Sequence, residues 1–440
     1  MKSRLPAQEF TQRRKALMNM MGEGAVAILP AAEQHVRNRD SDYRYRQDSD
    51  FYYVSGFAEP EAVICLIPGR PEGEYVLFCR PRDRMMETWN GYRAGQEGAV
   101  RDLGADQAFS IEELDEHMPQ LLAGRERVYY AMGLKAAFDH RMMDWLNRVR
   151  AKSRSGVHAP GEFLMLDHLL HDLRLFKSTE ELKLMRKAAA ISVRAHERAM
   201  RVCKPGLYEY ELEAEIMHEF MRSGCQAPAY NSIVGGGRNG CILHYVDNRD
   251  VLRDGDLVLI DAGAEFDHYA ADITRTFPVN GRYSAEQKAL YEVVLAAQAA
   301  AIDSVSPQAH WNDPHQAALK VLTQGLMDLG LLQGSLDDLL AAEAYKPYYM
   351  HRTGHWLGMD VHDVGDYKVD ESWRLLEPGM VLTVEPGLYI AEDADVDERW
   401  RGIGIRIEDD VLVTRQGYEV LTQAAPKQVA DIEALMRATL

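Results

Sequence analysis

Cysteine is scarce in this chain, and the few present form no pattern. Five cysteines (Cys65, Cys79, Cys203, Cys225 and Cys241) among 440 residues include no C-x-x-C pair. That argues against a disulfide framework and against a zinc-thiolate site, and it fits a reducing compartment. Long apolar runs are missing as well: none approaches the ~20 residues that a membrane span needs, so no membrane association is expected. The opening stretch, MKSRLPAQEFTQRRKALMNMM, is charged and interrupted where a signal peptide would carry an apolar core. A cytoplasmic location is the expectation. Cations are in deficit, with 50 Lys plus Arg against 68 Asp plus Glu and a formal charge of -18. Phosphate backbones call for a cationic surplus on some surface, so nucleic acid is not an expected partner. A Ser/His/Asp order, a phosphate loop and an H-E-x-x-H pattern are also absent.

What is present is a soluble globular composition, 46% hydrophobic and 27% charged, in a chain long enough for two domains. The first ~150 residues alternate short apolar strands with helical stretches, the pattern of an α/β domain. Glu61 to Ile67, Tyr75 to Arg80 and Arg127 to Ala131 read as strands, and Ser110-Ile-Glu-Glu113 is a capping box opening a helix. Ala151 to Glu162, with its Ser, Gly and Pro, reads as a linker, followed by a helix through Leu175. Further capping boxes stand at Ser178-Thr-Glu-Glu181 and Ser284-Ala-Glu-Gln287, each ahead of apolar residues at helical spacing. Asp313-Pro314 reads as an N-cap with an N1 proline for a third long helix ending near Gly330. Residues 178–280 and 284–420 share an order of long helix, second helix and acidic β segments, which suggests two related α+β halves.

The chemistry gathers in the second part of the chain. Leu257-Val-Leu-Ile-Asp261 is an apolar strand ending in a carboxylate, and Asp272 follows eleven residues later; a hairpin near Asp267 would set both on one face. Two carboxylates in apolar strands need compensation, and a metal ion is the usual one. Met350 to Gly365 carries His351, His355 and His362 among glycines. Val381 to Tyr389 and Gly404 to Val413 are apolar strands holding Glu385 and Glu408 where core residues would stand, and period two puts Arg406 on the face of Glu408. Four carboxylates and one imidazole suit Mn, Co or a similar divalent ion. Two such ions ~3.5–4 Å apart can activate a water and polarise a carbonyl.

The spacing of Asp261, Asp272, His355, Glu385 and Glu408 resembles that of the pita-bread metallopeptidases, which include methionine aminopeptidase, prolidase and aminopeptidase P. Gly354-His-Trp-Leu-Gly-Met-Asp-Val-His-Asp-Val-Gly365 and Tyr43-Arg-Tyr-Arg-Gln-Asp-Ser-Asp-Phe-Tyr-Tyr53 look most like the bacterial aminopeptidase P group. The resemblance implies an N-terminal α/β domain over 1–174, of the creatinase/prolidase N-terminal type. A pita-bread catalytic domain with pseudo-twofold halves would follow over 175–440. It implies two divalent ions, Mn2+ first with Co2+ or Zn2+ as alternatives, held by Asp261, Asp272, His355, Glu385 and Glu408. Asp272 and Glu408 would bridge the pair, with Glu385 as general base. His244 and His362 would hold the scissile peptide, His351 would wall the proline pocket, and Tyr389 and Arg406 would steady the oxyanion and orient ligand carboxylates. The expected substrate is a peptide with proline second, and the expected assembly is a homodimer or homotetramer in which Trp89 could shape a neighbour's site. A prolidase restricted to dipeptides, and a catalytically silent binding protein, are the alternatives.

Overall fold

The computed structural model describes residues 5–438. The chain forms two compact units that part between Arg174 and Leu175.

The first unit is built on a six-stranded mixed sheet. Its order is Gln107–Ser110, Tyr75–Cys79, Val63–Leu66, Ala25–Pro30, Arg127–Tyr129 and Glu162–Leu164. The three central strands pair antiparallel, while the outer pairings are parallel. Alternation sends Val26, Ile28, Val63, Cys65, Val76 and Phe78 to one face, where two helices cover them. Leu114–Leu122 contributes Leu114, Met118 and Leu121, and Ala136–Arg150 contributes Phe138, Met142, Trp145 and Val149, the i, i+4, i+7, i+11 stripe of a half-buried helix. Trp145 is buried, and its Nε1 donates to Asp115 Oδ1 at 2.7 Å, so the ring's one polar atom is satisfied.

The segment read as a linker, Ala151 to Glu162, belongs to this unit. Val157 and Ala159 pack on its core, and Glu162 opens the edge strand, pairing beside Arg127. Its Ser, Gly and Pro make a tight return to the sheet; a 3-10 turn at Ser153–Ser155 and a left-handed Gly156 supply the bend.

In the second unit two helices, Thr179–Val202 and Glu209–Arg222, precede a three-stranded antiparallel sheet ordered Thr274–Pro278, Leu257–Asp261, Ile233–Gly236. Two more long helices, Ala285–Asp303 and Asp313–Asp328, precede a second such sheet ordered Val381–Val384, Asp409–Thr414, Gly417–Val420, with Gly387–Ile390 paired to Ile403–Arg406. The repeated order is the one expected from sequence. Both capping boxes form, at Ser178 and Ser284. Asn312, not Asp313, stands at the N-cap position of the third helix and makes no side-chain capping bond; Asp313 is the helix's first residue, and its carboxylate accepts from the backbone N–H of His310.

Two of the expected strands are each broken in the middle. The ladder of Val381–Val384 with Asp409–Thr414 stops at Val384↔Asp409, and a separate one begins at Gly387↔Arg406. Pro386 has no N–H to donate, so a continuous ladder cannot pass it. Glu385 and Glu408 sit in the gap between the two ladders.

Arg275, fully buried, ties this region together. Its guanidinium donates to Asp409 Oδ1 at 2.7 Å, to the Glu408 carbonyl at 2.6 Å and to the Ala425 carbonyl at 3.1 Å. Arg275→Ala removes one of the two cations on buried Asp409, Lys427 being the other, and is expected to cost roughly 1.5–3 kcal/mol, read as a lowered denaturant midpoint; a midpoint within error of the parent would deny the pair that role.

In the first unit Asp50 accepts from Arg174 at 2.8 Å and faces His171 Nε2 at 3.5 Å. Burial alone would depress the imidazole, but the hydrogen bond and charge of Asp50 outweigh it and hold His171 above its ordinary 6.5. A raised folded-state value stabilises fully below the unfolded pKa and ceases to do so as pH rises through the folded one. His171→Asn should therefore lower thermal stability more at pH 6 than at pH 9, the two proteins converging at high pH.

Candidate metal centre

One cavity of about 560 Å³ in the second unit is lined by Asp261, Asp272, His355, Glu385, Glu408, His244, His351, His362 and Arg406. Tyr389 is the one sequence-singled residue that stands behind the wall instead. Its hydroxyl lies 2.8 Å from His351 Nε2 and accepts from Arg406 at 3.0 Å.

The local fold explains the convergence. Asp261 ends its strand, paired with Thr274 across the ladder. The chain then turns at Asp267 and His268, both at positive φ, and returns past Asp272. Asp261 and Asp272 consequently face each other, and the Tyr230 hydroxyl touches both, donating to Asp261 Oδ1 at 2.5 Å. Gly263 makes the close return workable: a Cβ there would stand 1.7 Å from the Ala271 carbonyl oxygen.

His355 arrives on the loop between two helices and the second sheet. Its Nδ1 lies 2.9 Å from the Trp356 carbonyl, which takes that N–H and leaves Nε2 facing Asp272 and Glu385, each at 3.5 Å. Thr383 Oγ1 accepts from the His355 backbone N–H at 3.1 Å and donates to Glu385 at 3.3 Å. Thr274 Oγ1 donates to Glu408 at 2.6 Å and accepts from Arg406 Nε at 3.1 Å, and Arg406 donates to Asp261 at 2.7 Å.

The charges do not balance. Burial first, and then the neighbouring acids, raise the carboxyl groups of Asp272 and Glu408, the latter well above its ordinary range, and push Glu385 up to about 7. Burial would lower His355, yet Asp272 and Glu385 hold it up at about 9. Burial brings His351 down to about 4 and also lowers His362, which His355 and His244 depress further. Crowded acids short of countercharge are what a bound cation relieves. Asp272, His355 and Glu408 each bring one ligand atom within 4.8 Å of the others, a grouping that can hold a metal ion. Oxygen donors with one imidazole fit a divalent ion of the Mn, Co or Zn kind.

Sequence reasoning missed Tyr230, Thr274, Thr383 and Asp410. Three of them carry a signal: each lies two residues from a singled acid, Thr274 after Asp272, Thr383 before Glu385 and Asp410 after Glu408, as strand alternation requires for a shared face. Asp410 accepts from the Asp272 backbone N–H at 3.2 Å. Tyr230 has no such signal.

A cavity walled by histidines around a cluster of acids is the mark of a metal-dependent hydrolase. The model of metallopeptidase family M24 matches residues 183–415, and that of the aminopeptidase P N-terminal domain matches 10–129. The chain is 48% identical to an Xaa-Pro aminopeptidase of Escherichia coli, over 99% of this chain and 98% of that one. It is 35% identical to human Xaa-Pro aminopeptidase 3, over 97% and 85%. Among solved structures, aminopeptidase PepP of Pseudomonas aeruginosa superposes with a TM-score of 0.98 at 61% identity, covering 99% of each chain. A zinc-substituted aminopeptidase P of E. coli in complex with product gives 0.96 at 48%, again over 99% of each. This chain belongs to metallopeptidase family M24, and its second unit has the pita-bread fold.

Gly263→Ala forces the segments bearing Asp261 and Asp272 apart. Overpacking of this kind typically costs ~1–3 kcal/mol, and here it should also weaken divalent-ion binding in calorimetric titration; unchanged ion affinity would show that the close return does not set the spacing of the two acids.

Proposed function

We propose that this chain releases the N-terminal residue from peptides whose second residue is proline. The observation that carries the reading is the convergence of Asp261, Asp272, His355, Glu385 and Glu408 on one cavity whose walls include His244, His351 and His362. Near-complete coverage of proteins named Xaa-Pro aminopeptidase supports it.

Asp261, Asp272, His355, Glu385 and Glu408 would hold two divalent ions, with Mn2+ the proposed native metal. When bound, the pair supplies Lewis-acid polarisation of the scissile carbonyl and acidifies a water. Glu385 would act as general base, accepting a proton at its carboxylate from the attacking water. A bond to proline has no amide N–H and a fixed φ, so strand-like backbone pairing cannot hold it, and side chains must. His244 and His362 hold the scissile peptide and guide a proton to the departing tertiary nitrogen. His351 stays neutral, because burial depresses it to about 4, and it presents an uncharged ring to the proline. Arg406, fixed by Asp261, Thr274 and Tyr389, keeps its charge aimed at the site.

Self-association is part of the proposal. Trp89 and Tyr92 are 80% and 92% exposed, and the helix Arg84–Asn90 buries no side chain, an apolar surface suited to a second copy in a homodimer or homotetramer. A cytoplasmic setting is proposed too; among the described residues no helix is long and apolar enough to cross a membrane. Light scattering and elemental analysis of purified protein test the assembly and the metal.

The decisive assay compares Xaa-Pro with Xaa-Pro-Yaa-Yaa in the presence of Mn2+. Cleavage of the longer peptide, lost on chelation and lost in Glu385→Ala, is the expected result. Cleavage of the dipeptide alone would make the enzyme a prolidase, and cleavage of neither would leave a binding protein.

A further inference from the structure

Glu209, at the start of the helix Glu209–Arg222, lies outside the constellation of acids described above and is fully buried. Its Oε1 accepts from the Gly236 backbone N–H at 2.8 Å and from Asn239 Nδ2 at 2.9 Å. Its Oε2 accepts from the Tyr245 hydroxyl at 2.8 Å and from the Asp250 backbone N–H at 2.9 Å. A carboxylate offers about four acceptor directions, and here four donors spread along Gly236–Asp250 meet on one side chain.

The first part of the segment ends a strand at Gly236 and forms a 3-10 turn over Gly237–Cys241, but the rest is irregular. Leu243 to Asp250 belong to no helix or strand, and His244 is exposed within them. Leu243, His244 and Val246 nonetheless line the cavity. The far end is tied by Asn248, which accepts from the Val234 backbone N–H at 2.9 Å and donates to the Ser232 carbonyl at 2.8 Å and to Glu213 at 3.0 Å. Glu209 and Glu213 stand one helical turn apart, so a single helix face anchors the loop at both ends. The residue next to His244, Tyr245, is itself one of the four donors.

We infer that Glu209 is a positioning residue for the reaction: it fixes the Gly236–Asp250 loop so that His244 meets the scissile peptide. This rests on the reading of His244 given above. The chemistry of the side chain matters, not only its volume. Four converging donors require a group that only accepts. Gln, of the same shape, would turn an NH2 towards two of them and leave buried donors unpaired.

The test is a double-mutant cycle of Glu209→Gln and His244→Ala on an Xaa-Pro-Yaa-Yaa peptide, with bound metal counted in every variant. Glu209→Gln is expected to lower kcat/KM by roughly ten- to a hundredfold, the usual scale for a displaced catalytic group, with metal content unchanged. In the His244→Ala background it should add almost nothing. An equal loss in both backgrounds, or full activity of Glu209→Gln, would overturn the inference. Parent-like activity of His244→Ala alone would remove the reading of His244 and this inference with it, whereas a damaging His244→Ala beside a silent Glu209→Gln would sink this inference only. If Glu209→Gln does not fold, Tyr245→Phe takes its place in the cycle. It removes one donor of four, so a smaller loss that vanishes in the His244→Ala background is expected, and a loss that persists there overturns the proposal.

Discussion

Mutual repulsion among buried carboxylates is the constraint around which the catalytic half is arranged. At an effective dielectric of 20, two unit charges 4 Å apart repel by about 4 kcal/mol, and Asp272, Glu385 and Glu408 crowd one cavity with Asp261 and Asp410 beside them. Among the described residues the protein's own donors to these groups are few: Tyr230, Arg406, Thr274, Thr383, the His355 imidazole and one backbone N–H. They orient the acids without neutralising all of them, and burial, then repulsion from neighbouring acids, drives Asp272 and Glu408 towards their protonated forms. A divalent ion removes that penalty, so ion binding and the stability of this region are linked.

Such a site cannot stand on flexible chain, because the acids would relax apart. The structure places them where backbone is best fixed yet not consumed by pairing. Asp261 ends a central strand with partners on both sides. Glu385 and Glu408 occupy the gap between two antiparallel ladders, each held by a backbone bond outside those ladders: Glu385 N–H to the Thr353 carbonyl at 2.8 Å, and Glu408 N–H to the Thr274 carbonyl at 3.1 Å. The break that Pro386 imposes is therefore part of how the carboxylates reach the cavity. Loops deliver the histidines, and the cost appears as anchoring from elsewhere, through Glu209 and Asn248 for the segment of His244 and through Thr383 for that of His355.

Much of this was legible in the sequence, and the limits have physical causes. Capping boxes at Ser178 and Ser284 were readable because they are local. Asp261 and Asp272 were readable because acids within apolar strands violate the expected pattern. The ladder break at Pro386 was written in the chain but masked by the strong apolar runs on either side. Ala151 to Glu162 looked like a linker since turn residues mark a tight return within a domain as readily as a boundary between two. Tyr230, 31 residues before Asp261, meets it only through the tertiary fold, and no local period could reveal it.

The run Glu408-Asp409-Asp410 shows how neighbours, not burial, settle the charge of a group. All three are almost fully buried, and for each burial is the largest influence and acts upward. Strand alternation turns Glu408 and Asp410 to the side of Asp272, where other acids add to the effect and both rise well above the ordinary carboxylate range. Asp409 points the other way, onto Arg275 and Lys427, each 2.7 Å distant, with Gln298 at 2.9 Å, and these cations bring it below its ordinary value. One strand thus carries an ionised acid that secures the frame and, one residue to either side, acids left short of positive charge. The first is compensated by the protein alone. Glu408, which lines the cavity, is left for something positive that enters there, so one run of acids can serve both the stability of the fold and a cation site.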